Sequence, residues 1–551
     1  MAGDVRRQSR PLPGVYVTDC AFIWRQIVAT ARLTRDLTRF VRAPVTTAEA
    51  TELVRARVAN REPAFLALVR RTVYRHRNSP YRRLLDHAGC TYADLVQQVQ
   101  RDGLDATLRR LAEQGVYVTQ AEMKGRADIM RGSLRFRATP EQFDNPLVRP
   151  QFVVPTSGSS GRQLAVGRSL AELAEIDDVV AVALATCGMS RPAYVKWSTL
   201  PHAVMENLHL GSSVVGWFNP VGSIPLAVRA LQAWVAAIVR LSGGEMAWPR
   251  EHLLTAPDTL TAWLRQQLGT HGPILMDATA SSAVRVSAAA TEGGISLAGL
   301  CWMPWGEPLT PAREQIITAS GAMTLPVYST VETGPIAVAC ANRTVADAMH
   351  VRGERFVVGH RSADDDAPSV PALVPADSGI AGALLVTTLG PAAPKIMLNA
   401  ETGDAAEFLP GRCGCLLEDV GLTRRIANIR SVEKLTGEGV TLVGTDLVAI
   451  IEETLPRVLG GRMGDFQLLE AERGDGTVRL LLRVRPTVPD LDANRARSIL
   501  LGAIAAQSPH HEHMARLLDA ASTVQVERED PWVTSSGKTP AFVPLAARRR
   551  D

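Results

Sequence analysis

FVVPTSGSSGRQ, residues 152–163, runs an apolar strand into a loop of hydroxyls and glycines, Thr156-Ser157-Gly158-Ser159-Ser160-Gly161, followed by Arg162 and a helix-prone stretch. Small residues let backbone N–H groups converge on an anion, and the hydroxyls add donors. The loop is not a Walker loop, because no Gly-Lys-Ser/Thr follows at the required spacing. Nor is it a nucleophile elbow, since GSSG is not G-x-S-x-G. Taken alone, it reads as well as a flexible turn. Outward from it, between about 150 and 430, short apolar strands alternate with helical stretches. FVVP, PILMD, LAGLCWMP, MTLPVYS and GALLVTTL are the strands, and AREQIITASGA is one of the helices between them. Such alternation predicts a sheet-cored α/β domain.

The 551 residues are 46% hydrophobic and 21% charged, enough to bury a full core. Sixty basic residues against 56 acidic ones leave +4, with no basic block and no interleaved aromatics, which argues against a nucleic-acid partner. Only five of the basic residues are lysine: Lys124, Lys196, Lys395, Lys434 and Lys538. In a chain that otherwise uses arginine, each lysine is a candidate for a specific role. MAGDVRRQSRPLPG has no apolar run behind its charges, so no secretory signal is expected. The longest uncharged run, between Glu206 and Arg229, is broken by Gly211, Pro220 and Pro225, so no membrane partner is expected. Seven cysteines, an odd and sparse set, fit reduced thiols and a cytoplasmic location.

Residues 1–60 read as a helical N-terminal extension, offering a lid or a homodimer contact. The stretch from Ala64 to Leu85 has helical spacing, broken at Asn78-Ser79-Pro80. Near residue 432 the pattern changes. A helix over 445–457, a hairpin of FQLLEAE and VRLLLRVRP around Asp475-Gly476, a helix over 492–507 and a strand STVQVERE predict a small α+β domain over 432–551.

Further motifs follow the serine/glycine loop in order. They are Gly306-Glu307-Pro308, then YSTVETGP with Tyr328, Ser329 and Glu332, then LNAETGD ending at Asp404, and WVTSSGKTP carrying Lys538. Together they resemble the adenylate-forming superfamily of acyl-CoA synthetases and adenylation domains. RHRNSPYRRLLDHAG, GEPLTPAREQII and YSTVETGPIAVAC look like its phenylacetate–CoA ligase branch. The resemblance covers roughly residues 62–551. It implies a large multi-sheet α/β adenylation domain over 61–431, binding ATP and the acid, and a mobile C-terminal lid over 432–551.

The resemblance also implies roles. Thr156, Ser157, Gly158, Ser159, Ser160 and Gly161 would hold the ATP phosphates. Gly306, Glu307, Pro308, Tyr328 and Ser329 would frame the adenine, and Asp404 would take the ribose hydroxyls. Glu332 would hold Mg²⁺, a hard cation suited to carboxylate and phosphate oxygen. Arg430 matches the arginine just before the hinge, and Lys538 would reach the α-phosphate and the substrate carboxylate. A compact ammonium suits that task better than a planar guanidinium. His202 reads equally as a group near the acid carboxylate and as a packed histidine. Met205, Asn207 and residues 277–282 would border the acid pocket.

Some members of the branch carry zinc on a Cys, His, Cys-x-Cys set, matched here by Cys340, His350, Cys413 and Cys415. The alternative is buried thiols beside an unrelated histidine. His510-His511-x-His513 reads as a solvated helix end. Ser535-x-x-Lys538 lacks the companion motifs of a penicillin-binding site.

The implied function is activation of an aromatic or medium apolar acid with ATP, then transfer to coenzyme A. Three departures keep alternatives open. Val331 stands where a threonine is usual, Asn399-Ala400-Glu401 replaces a basic-aromatic-basic run, and the hinge RSVEKLTGEG lacks paired aspartates. The acceptor then is a carrier-protein thiol or an amine, or the chain is a catalytically silent nucleotide-binding homologue.

Overall fold

The computed structural model describes residues 20–155, 165–200, 202–220, 224–252, 256–362, 373–374, 382–431, 434–437, 440–443, 447, 450–462, 464–472, 478–489, 491–507, 509–532 and 541–543. The fold is mixed α/β, with several sheets in the large domain and a small α+β unit at the C-terminal end.

Two helices open the described chain, α1 (Cys20–Arg42) and α2 (Thr47–Ala59). Thr46 and Glu49 form a capping box at the start of α2, which satisfies donors that a helix start leaves unpaired. Leu37, Phe40, Val45, Ala50 and Val54 are buried in the same core as the large domain, so the extension packs as part of it. The break expected at Asn78-Ser79-Pro80 separates the helix Arg61–Val69, which runs into a π-helical turn at Arg70–Tyr74, from the helix Pro80–His87. Pro80, at the first turn of the second helix, lacks only an N–H that a helix start leaves unpaired anyway.

Strand β1 (Phe152–Pro155) leads into the serine/glycine loop, and the chain returns antiparallel as β2 (Ala165–Arg168). The helix expected directly behind the loop therefore starts later, as α3 (Leu170–Thr186). Ser169 caps it by accepting from the Glu172 N–H at 3.3 Å.

A six-stranded sheet follows: β3 (Ala193–Trp197), β4 (Val214–Asn219), β5 (Arg250–Glu251), β6 (Ile274–Thr279), β7 (Leu300–Trp305) and β8 (Met323–Thr324). Its order is β8-β7-β6-β3-β4-β5, with every pair parallel. Strands β4 and β5 extend from one side of β3, and β6, β7 and β8 from the other. That makes β3 the switch point, where the carboxyl ends of an open parallel sheet leave a crevice for a ligand. Burial on both faces accounts for the near-continuous apolar runs of β3, β4, β6 and β7.

The second sheet is antiparallel and eight-stranded. It comprises β9 (Val327–Thr330), β10 (Gly334–Val338), β11 (Met349–Val351), β12 (Phe356–Ser362), β13 (Leu373–Val374), β14 (Gly382–Thr388), β15 (Ala400–Leu409) and β16 (Arg425–Ser431). The order is β9-β10-β11-β16-β15-β14-β12-β13. MTLPVYS, expected as one strand, is divided between the two sheets. Pro326 has no N–H for a ladder, and it stands between β8 and β9.

The C-terminal unit has its own core. Strands β17 (Phe466–Glu472) and β18 (Val478–Val484) pair antiparallel as expected, with residues 473–477 outside the described set. Helices Ala493–Ala505 and Pro509–Ala520 cover them, and β19 (Val524–Glu527) pairs parallel with β18. His511 is buried in the second of these helices, not solvated. The helix expected over 445–457 is described as a π-helical turn at Ile450–Thr454 running into Leu455–Leu459.

Candidate functional site

Thr156, Ser157, Gly158, Ser159, Ser160 and Gly161 lie outside the described residues, as does Lys538. The structure describes what flanks and faces them.

Two separately predicted nucleotide residues meet. Tyr328, on β9, donates its hydroxyl to Asp404 Oδ2 at 2.9 Å, across 76 residues of sequence, and the Thr402 hydroxyl lies 3.2 Å from the same phenol oxygen. Burial, and then the nearby Asp404 charge, push the Tyr328 phenol well above its ordinary range, so it stays a donor. Gly403 sits between Thr402 and Asp404 at φ +84°, and a Cβ there would strike the Gln120 side chain. The turn therefore requires glycine. Gln120 Nε2 in turn donates to the Thr402 carbonyl at 2.7 Å.

Glu332 sits half-buried on the turn between β9 and β10, and its charge is felt at Tyr328. Thr330, next to Val331, shares its hydroxyl with Thr333 at 2.9 Å. Ser329 is exposed beside a bulge in β9. Glu307 points inward. Its Oε2 accepts from the Ser281 N–H at 2.8 Å and the Ser281 hydroxyl at 2.6 Å, and Arg313 lies at 3.2 Å. The Gly306-Glu307-Pro308 corner is thus clamped by its own glutamate, with Gly306 exposed at φ +76°. Arg430 pairs with Asp347 at 3.0 Å rather than with the tyrosine–aspartate pair.

A buried charge cluster that the sequence did not reveal braces this region. Arg168, at the end of β2, pairs with Glu172 at 2.6 Å and reaches the Val331 carbonyl at 3.4 Å. Arg355 holds the other oxygen of Glu172 at 3.2 Å and Glu175 at 2.5 Å. Gly334 lies against Arg168 at φ +72°, and a Cβ there would approach Nη2 to 2.7 Å. One guanidinium therefore ties the return strand of the serine/glycine loop to the Glu332 turn. In a chain with 55 arginines nothing singled out Arg168.

His202 stacks on Phe152 of β1, with ring centroids 5.9 Å apart and planes 16° apart. Burial, then the charges of Arg168 and Lys196, lower its pKa from 6.5 to about 3, so the ring is neutral. An unfolded chain takes up this proton below about pH 6.5, whereas the folded one refuses it until about pH 3. The stability that His202 contributes is complete above pH 6.5 and is lost as pH falls toward 3. The melting temperature should therefore drop more steeply between pH 6.5 and 4 in wild type than in His202→Phe. Parallel curves would contradict the assignment.

At the carboxyl end of the six-stranded sheet, Lys196 of β3 lies in register with Asp277 of β6. Its Nζ is 2.5 Å from Asp277 Oδ2 and 3.5 Å from Glu206 Oε2. Burial alone would lower the lysine pKa, but the charges of Asp277 and Glu206 raise it, so the ammonium persists. Trp305 Nε1 at the end of β7 and the Tyr194 hydroxyl also donate to Asp277. The backbone N–H groups of Asn207 and His209 donate to buried Asp177 of α3, both at 2.9 Å, which holds the segment over residues 205–209 in place. Asp277 and Asn207 were expected near an acid pocket. Lys196 and Glu206 were not, and the rarity of lysine was the one available signal.

Cys340, His350, Cys413 and Cys415 form a compact donor set, their ligand atoms all within 4.8 Å of one another. Cys413 and Cys415 Sγ are each 3.3 Å from His350 Nε2, and Cys340 and Cys413 Sγ are 3.9 Å apart. Tetrahedral zinc with Zn–S near ~2.3 Å and Zn–N near ~2.1 Å requires donor separations of this size. His350 Nδ1 bonds to the Leu422 carbonyl at 2.6 Å, which fixes the tautomer and leaves Nε2 to ligate. Buried Glu418 accepts from the Cys413 and Gly414 N–H groups at 3.0 and 2.9 Å and shapes the Cys-x-Cys turn. The residues fit a tetrahedral metal, and it would pin β10, β11 and the segment after β15 together.

No family model and no curated protein matches the sequence. Among solved structures, the chain is similar to a 2-hydroxyisobutyryl-CoA ligase in complex with 2-HIB-AMP and CoA. The identity is 17% over 91% of both chains, with a TM-score of 0.52. A malonyl-CoA ligase matches at 15% identity over 70% of this chain and 72% of its own, TM-score 0.40. An amide bond synthetase from Marinactinospora thermotolerans matches at 14% over 83% and 77%, TM-score 0.42. The first of these likenesses establishes that the chain has that ligase's fold.

Proposed function

We propose that this chain is an adenylate-forming ligase, activating a carboxylic acid with ATP and passing the acyl group to coenzyme A. In the first half-reaction a carboxylate oxygen attacks the α-phosphorus, the bond to the β-phosphate oxygen breaks, and pyrophosphate leaves. In the second, the thiol sulfur attacks the acyl carbon, the carbon–oxygen bond to AMP breaks, and the thiol proton passes to solvent. Both steps bring negative charge together, so positioning and charge neutralisation dominate the catalysis.

The meeting of Tyr328 with Asp404 is the observation that carries this reading. Two motifs far apart in sequence put a hydroxyl and a carboxylate on one spot, beside the Glu332 turn, in a fold shared with an acyl-CoA ligase. Asp404 would take the ribose, Glu332 a magnesium ion, and the serine/glycine loop the phosphates. Bound magnesium would neutralise charge on the phosphate oxygens. Lys538 would insert for adenylation, and the C-terminal unit would turn about residues 430–434 to admit the thiol. Cys340, His350, Cys413 and Cys415 would hold a structural zinc. An aromatic or medium apolar acid is what the family resemblance implies, and the ionic groups at the sheet's carboxyl end argue against a wholly apolar one.

Acid-dependent pyrophosphate release from ATP without any thiol tests adenylation, and thioester formation on adding coenzyme A tests the acceptor. Adenylate without thioester would move the acceptor to a carrier-protein thiol or an amine. Asp404→Ala should raise the KM for ATP by about tenfold or more, the scale of one hydrogen bond to a charged group, and lower kcat less. An unchanged KM would remove Asp404 from the nucleotide site.

A further inference from the structure

The crevice at the end of β3 is polar where an apolar acid would want hydrocarbon. Lys196 and Asp277 are 1% and 2% exposed, a buried ion pair at the switch point. Their hydrogen bonds are unevenly filled. Asp277 accepts from Lys196, Trp305 and Tyr194. Glu206 has the 3.5 Å approach of Lys196 and a side chain 34% exposed, so its carboxylate has capacity left. Beside it, Asn207 is held at φ +69° and is only 2% exposed, and its Nδ2 makes no hydrogen bond of full geometry, leaning only weakly on the Tyr194 hydroxyl. A buried amide donor so weakly paired costs free energy unless something fills it. Lys196 contributes one positive charge and Asp277 and Glu206 one negative charge each, so these three groups carry a net −1. His202, stacked against β1, adds none.

We propose that Glu206, backed by Lys196 and Asn207, is a specificity subsite for a hydrogen-bond-donating amine or hydroxyl on the tail of the substrate acid. This rests on the adenylation reading for the placement of the carboxylate, and it goes beyond that reading in naming the acid's class. The donor fills the open acceptor of Glu206, and an oxygen or nitrogen lone pair on the same group, where present, takes the Asn207 amide. A plain hydrocarbon tail does neither and leaves both groups desolvated. Sites built around a hydrogen bond reject analogues that lack the group far more strongly than apolar pockets reject a missing methylene.

The test uses the full-length protein and matched acids: butyrate, 4-hydroxybutyrate and 4-aminobutyrate, then phenylacetate and its 4-hydroxy and 4-amino derivatives. Exchange of labelled pyrophosphate into ATP gives the ratio of each donor-bearing acid to its parent. In wild type the ratio should favour a donor-bearing acid, and in Glu206→Leu it should fall about 10- to 100-fold. Glu206→Gln separates the two donors, since a neutral amide still accepts from a hydroxyl but no longer neutralises an ammonium. Melting curves of the variants establish folding, and melting shifts on adding each acid read binding without turnover. Wild-type exchange that favours the parent acids, or a preference unchanged in both variants, would overturn the subsite. Donor-bearing acids that stabilise wild type but not Glu206→Leu, with no exchange from any acid, would keep the subsite and sink the ligase reading. If no donor-bearing acid supports exchange or shifts the melting temperature, the subsite is also overturned.

Discussion

Lys538→Ala is expected to lower the rate of acyl-adenylate formation by about 10²- to 10³-fold, the range for removing one preorganised charge-stabilising group. On the proposed reading the lysine would matter because two anions, the acid carboxylate and the α-phosphate, meet in the transition state, and a mobile ammonium can follow the charge as it develops. Equilibrium binding of ATP should change much less, since the loop and the tyrosine–aspartate pair would hold the nucleotide in the ground state. Thioester formation from a preformed acyl-adenylate should also survive, because the α-phosphate is then a leaving group already in place. Single-turnover kinetics of the two half-reactions checks this. Equal loss in both would show that the substitution disrupts the C-terminal unit rather than the first chemical step.

Loss of the metal site should produce the largest change in stability. His350 and Cys415 are buried, and three thiols and an imidazole with ligand atoms within 4.8 Å of one another make a donor set that one tetrahedral cation can satisfy jointly. The protein should purify with about one zinc per chain. Cys413→Ser or prolonged chelation should release it and lower the melting temperature by about 10 °C or more, because metal affinity of this kind appears as folding free energy. Zinc analysis with calorimetry reads both. A metal-free protein that melts with the Cys413→Ser variant would reduce the cluster to buried thiols around a histidine.

The readable parts of this chain were the short ones. A strand entering a Ser/Gly loop, an Asp-Gly hairpin and a Thr-Gly-Asp turn each depend on a few neighbouring residues, and the structure pairs the two strands of the hairpin antiparallel and brings Asp404 to Tyr328. Features set by sheet register were not readable. Lys196 meets Asp277, 81 residues away, because β3 and β6 run parallel with those two positions aligned, and no local pattern announces that alignment. Arg168 was hidden for a different reason, since arginine is the default cation and its reach to Val331 depends on how the eight-stranded sheet packs on α3. The expected single strand over MTLPVYS failed at Pro326, where the missing N–H was visible but its consequence, a change of sheet, was not. The first two helices looked like a separate preamble because helical periodicity says which face is apolar without saying what covers it.

Acid-dependent exchange of labelled pyrophosphate into ATP, without any thiol present, is the direct measurement of the central claim. The account predicts exchange that requires an acid and magnesium, and that is strongest with an acid carrying an amine or hydroxyl. Nucleotide binding without exchange from any acid, at protein concentrations where binding is saturated, would contradict it and leave a binding protein with a ligase fold.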